Sequence, residues 1–99
     1  MRVKAEKEVV IGRLVRDIEM AHDSVALFTL TNSVISNGEE TTRWHRIAAF
    51  GHQAVLCHKR LSKGDLCCVE GRMGSVESEG ETKMAVIAEN ITFLVKHNF

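Results

Sequence analysis

The sequence predicts an all-β fold: a five-stranded antiparallel barrel with one short helix between its third and fourth strands. Three observations predict it. Strand-like alternation recurs between turn signals. Only one segment carries helical spacing. Glycines stand inside the strands, where a small barrel must bend.

Glu8–Arg16 is rich in Val, Ile and Leu and reads as the first strand, with Gly12 marking a bulge or bend. Ser24–Val34 is the second. Val25, Leu27, Thr29 and Thr31 share one parity there, and Ala26, Phe28 and Leu30 the other. Asn37-Gly38 is a hairpin signal, and Thr41–Phe50 returns as the third strand. After Gly51, the residues Ala54, Val55, Cys57, His58 and Leu61 recur at helical spacing. His52–Leu61 is therefore a helix, stopped by Ser62-Lys63-Gly64. Asp65–Val76 and Lys83–Leu94 are the last strands, joined by a polar turn over Glu77–Thr82, and Gly71 and Gly74 mark bends. Five strands of this length leave edges that closure removes. This is the element order of the OB-fold, whose barrels bind oligonucleotides across one face.

Ninety-nine residues are one domain, spanning 1–99. Thirteen basic and thirteen acidic residues cancel, which argues against indiscriminate polyanion binding and leaves room for a local basic face. No apolar run reaches the ~20 residues of a membrane span. The charged segment Met1–Glu8 has no apolar core of a secretory signal, so a cytoplasmic protein is expected. Cys57, Cys67 and Cys68 are an odd set with two adjacent members. They read as reduced thiols rather than as disulfides, and their spacing does not suit a metal. No phosphate-binding glycine loop, nucleophile elbow or zincin helix is present, so neither catalysis nor a cofactor is expected.

The third strand carries the functional signal. Alternation puts Trp44, Arg46, Ala48 and Phe50 on one face, and Arg43, His45, Ile47 and Ala49 on the other. Two rings with a guanidinium between them are what unpaired bases and their phosphates need. The same two rings suit an ordinary strand core, and from this segment alone both readings stand. The basic residues best placed to follow a backbone are Arg13, Arg16, Arg43, Arg46, Arg72 and Lys83, with Lys4 and Lys7 near the start.

In order along the chain, Val9-Val10-Ile11-Gly12-Arg13-Leu14, Trp44-His45-Arg46-Ile47 with Phe50-Gly51, Leu61-Ser62-Lys63-Gly64-Asp65 and Val69-Glu70-Gly71-Arg72 resemble the DNA-binding domain of the bacterial single-stranded-DNA-binding protein family. The resemblance covers residues 8 to 94. It implies a homotetrameric OB barrel, with a dimer as the fallback, that binds and protects single-stranded DNA without sequence preference in replication, recombination or repair on the bacterial nucleoid. It also implies that Trp44 and Phe50 stack bases, that Arg46 belongs to the same strand, and that His45 lies at a subunit contact.

The chain departs from the family pattern in three places. Ser33, Val34 and Ile35 stand near a position where the family carries another stacking tryptophan. The turn after the fifth element carries Glu77, Glu79 and Glu81 where the family offers a tryptophan and basic residues. Carboxylates there repel phosphates. The family's acidic, hydrophobic-tipped tail recruits partner enzymes. This sequence reads Lys96-His97-Asn98-Phe99 at its end, so the resemblance does not carry the recruiting function over to it. The alternative reading is a tailless primosomal replication-restart or mobile-element accessory OB protein. It would act mainly through contacts with replication or restart proteins.

Overall fold

The structure, a computed structural model, describes residues 6–95. Six strands and one helix follow in the order β1 (Lys7–Leu14), β2 (Glu19–His22), β3 (Val25–Ser36), β4 (Glu39–Phe50), α1 (His52–Arg60), β5 (Leu66–Ser78) and β6 (Glu81–Val95). The sheet runs β1-β5-β6-β4-β3-β2, and β1 returns to β3 through Arg13↔Thr31 and Leu14↔Leu30, which closes the barrel.

Two features correct the expected architecture. β2 is an additional short strand on the outer edge of β3. Its four residues, largely exposed, carry too little alternation to be seen in the sequence. The second is direction: β4 and β6 run parallel at Ile47↔Val86 and Ala48↔Ile87, while the other pairings are antiparallel. A closed ring with an odd number of strands cannot alternate all the way round, so one neighbouring pair has to agree in direction.

Val10, Leu14, Phe28, Leu30, Ile47, Val69 and Val86 fill the barrel from alternating positions. Ala54, Cys57 and Leu61 of the helix segment close one end of that core. Burial pushes the Cys57 thiol up to about 11 and the Cys67 thiol to about 12, so both stay neutral core groups near pH 7. The glycines act where backbones crowd. Gly71 lies at a register shift of the β5–β6 pair, and a Cβ there would collide with the Ile87 carbonyl. The β3–β4 and β5–β6 hairpins each turn on two residues of positive φ, Asn37-Gly38 and Glu79-Gly80. The second turn is therefore shorter than the Glu77–Thr82 turn expected, and Glu77, Glu81 and Thr82 belong to strands.

Candidate nucleic-acid interface

Trp44 and Phe50 are not core residues. Trp44 is 65% exposed and Phe50 44%, while Ile47 and Ala49 on the opposite parity are fully buried. The alternation therefore holds and its outward face is open, except at Ala48, which is fully buried. Ala48 packs with Val76 and Ala85 of the β5–β6 hairpin in a small cluster separate from the barrel core.

Two grooves lie on this face. One, of about 570 Å³, is lined by Trp44 and Thr31 together with Arg13, Lys63 and Gly64. Its ionic residues are both cations. Their placement follows from the closure of the barrel. The Thr31 row pairs with Arg13 on one side and Trp44 on the other. Backbone bonds Gly64 N–H to Leu14 O and Leu14 N–H to Asp65 O dock the turn after the helix against β1. Arg13 Nη1 donates to Gly64 O at 2.9 Å, and Lys63 N–H donates to Asp17 Oδ1 at 2.7 Å.

The second groove, of about 750 Å³, has Leu27, Thr29 and Arg46 in its floor, with β2 on one side and the β5–β6 hairpin on the other. Arg16, Arg46 and Lys83 meet there, but Asp17, Glu19 and Glu79 face them. Thr29↔Arg46 and Thr31↔Trp44 are successive outward rows of the same two strands, so the grooves adjoin. The wider groove is charge-compensated, whereas the Trp44 groove is not.

The other expected residues lie elsewhere. Phe50 is six residues along β4 from Trp44, roughly 20 Å at about 3.3 Å per residue, and lines neither groove. Arg43 is exposed on the parity opposite Trp44, as is the half-buried His45. His45 Nε2 lies 3.4 Å from Asn32 Oδ1, and Asn32 Nδ2 donates to Ile11 O at 3.0 Å. Arg72 and Lys7 both pair with Glu89 at 3.2 Å, and the hydrogen bond from Lys7, with Arg72 beside it, holds that carboxyl below its ordinary range. Of the three acidic residues expected to repel a strand, only Glu79 reaches the groove. Glu81 approaches Lys83 at 4.0 Å, and Glu77 alternates to the other face of the hairpin from Val76. Lys4 and the segment Lys96–Phe99 lie outside the described residues.

Sequence reasoning missed Lys63 as a site residue. Its signal was present in Leu61-Ser62-Lys63-Gly64, which reads locally as a helix stop. Its neighbour Trp44 is brought to it only by the β1–β3 seam. Changing Arg13 and Lys63 together to Ala is expected to reduce the slope of log affinity against log salt for a single strand by about 1.4, at about 0.7 per phosphate neutralised. An unchanged slope in a salt titration would remove both from the path.

These features match what the chain resembles in known proteins. Residues 5–94 match the model of the single-strand binding protein family. Single-stranded DNA-binding protein 1 of Chlorobaculum tepidum is 38% identical across 68% of the chain, which spans 47% of that protein's length. Single-stranded DNA-binding protein 1 of Staphylococcus aureus strain Mu50 is 35% identical across 93% of the chain and 67% of its own length. A Plasmodium falciparum SSB solved in complex with ssDNA superposes with a TM-score of 0.72 at 26% identity, covering 95% of this chain and 99% of that one. A small single-stranded DNA-binding protein of Streptomyces coelicolor, 18% identical, shares the fold at a TM-score of 0.74, covering 92% of this chain and 94% of that one. With the family model spanning all but the ends, and with the barrel and its outward tryptophan in place, the chain belongs to the single-strand binding protein family.

Proposed function

We propose that this protein binds and protects single-stranded DNA without catalysis and without sequence preference, in the bacterial cytoplasm. The observation that carries the reading is the exposed Trp44 in a groove whose ionic residues are Arg13 and Lys63. A ring offers a stacking surface to any base, and two cations follow the phosphates beside it. Membership of the family and likeness to a chain solved with ssDNA support it. Arg46, Arg16 and Lys83 continue the path, and Phe50, with Arg72 near that end, serves its far side.

Trp44 is the only tryptophan and there is no tyrosine, so emission reports one site. Oligo-dT is expected to quench that emission to saturation, with duplex DNA of equal phosphate content a poor competitor. Saturating oligo-dT without any change in emission would overturn the reading.

The protein is also proposed to act as a homo-oligomer, a tetramer first and a dimer second. Val9 and Ile11 are half-exposed or more on the outward parity of β1. Among the described residues, β1 pairs with β3 only at Arg13 and Leu14, so most of that edge is open to another strand. An apolar face beside an open edge favours association. His45, tied through Asn32 to Ile11 of the same strand, is proposed to support the contact. Sedimentation equilibrium at micromolar concentration is expected to show a multiple of the 11.1 kDa chain, and a monomer alone would refute association.

A further inference from the structure

Ala48 stands in the middle of the outward face, between Trp44 and Phe50, yet it is fully buried. What covers it is the β5–β6 hairpin, through Val76 and Ala85. The seat is one valine and two alanines with Leu27 and Ile87 half-buried against them, small beside the barrel core. Past Val76, the turn at Glu79-Gly80 places Glu79 in the wall of the wider groove, on the same face as Arg16, Arg46 and Lys83. The carboxylate shares that groove with the cations that a phosphate would follow.

The hairpin is weakly held. Among the described residues, β1 pairs with β5 no further along than Arg72, and β4 pairs with β6 only at Val86 and Ile87. Among the described residues, from Met73 to Met84 the two strands pair only with each other. A two-stranded hairpin is marginal alone, so its position depends on the Val76 seat and on charge.

We propose that the β5–β6 hairpin is a strap across the single-strand path. Seated, it leaves the Trp44 groove open and holds Glu79 against the cations of the wider groove. Lifted, it uncovers Ala48 and extends the two adjoining grooves toward Phe50 as one track. Short strands then bind without disturbing it, and longer strands must displace it. This rests on the single-strand binding proposed above.

The test compares oligo-dT of about four and about sixteen nucleotides, the range of site sizes for one such barrel. Trp44 emission is the readout, in the wild type, Glu79→Gln and Val76→Ser. In each variant the ratio of long-strand to short-strand affinity is expected to rise at low salt, by up to about fivefold for Glu79→Gln, the measure of one exposed charge pair. At high salt the Glu79→Gln gain should fade by screening, while the Val76→Ser gain persists because an apolar seat is not screened. Glu79 is exposed, so its variant keeps the fold. A ratio that stays at the wild-type value in both variants overturns the strap. Failure of the wild type to bind either oligomer overturns instead the single-strand reading beneath it.

Discussion

Trp44→Ala is expected to lower single-strand affinity by about 1–3 kcal/mol, the worth of one stacked base, or roughly 5- to 150-fold. The side chain lies outside both buried clusters: it is 65% exposed, and the barrel core lies on the other face of β4. Melting should therefore move little, since surface substitutions usually stay within about 0.5 kcal/mol. The variant loses its own emission, so the measurement is anisotropy of a labelled oligo-dT. Phe50→Ala should cost less, because Phe50 lines neither groove and sits beyond the Val76 seat. An affinity for Trp44→Ala within error of the wild type would mean that the strand avoids this groove. The path would then have to run over Arg46 and Lys83 alone.

The sequence made the barrel legible because its strands are half-buried, which writes alternation into Val10, Leu14, Phe28, Leu30 and Ile47. Asn37-Gly38 was equally plain, since positive φ at both positions selects these residues. Glu79-Gly80 adopts the same two-residue turn but was read as part of a longer loop. Its neighbours Glu77, Glu81 and Thr82 are exposed, and a strand wet on both faces has no burial pattern. The parallel β4–β6 pair was deducible in principle from an odd ring, but which pair agrees in direction depends on contacts far apart in sequence.

The site divided along similar lines. Alternation correctly grouped Trp44, Arg46, Ala48 and Phe50, but it could not separate a platform from a core. The exposures of the two rings place both outside the core. Nor could it show Ala48 covered, because Val76 and Ala85 reach it through the curl of a hairpin. Counting cations along the chain missed pairing in space. Glu89 engages both Lys7 and Arg72, while Lys63 and Arg13 meet without a carboxylate in their groove.

Leu30→Ala is expected to destabilise the barrel by about 2–5 kcal/mol, the cost of emptying a fully buried leucine site. Leu30 is wholly inaccessible. It pairs with Leu14 across the closing seam and with His45 on the other side, so it sits where β1, β3 and β4 meet. Among the described residues that seam is two residue pairs long with one further backbone bond, Val15 N–H to Thr29 O, and a cavity there has little neighbouring ladder to absorb it. For a chain of this size the loss corresponds to a fall in melting temperature on the order of 10–30 °C, read by thermal denaturation at fixed protein concentration. The same seam sets Arg13 beside Thr31 and thereby beside Trp44. Well below the new midpoint, oligo-dT affinity should still be close to wild type, because the groove residues are intact in every molecule that is folded. Ligand should also recover part of the lost stability, since it binds only the folded barrel. A loss under about 1 kcal/mol would mean that the β1–β3 seam does not hold the barrel shut, and the juxtaposition of Arg13 with Trp44 would need another cause.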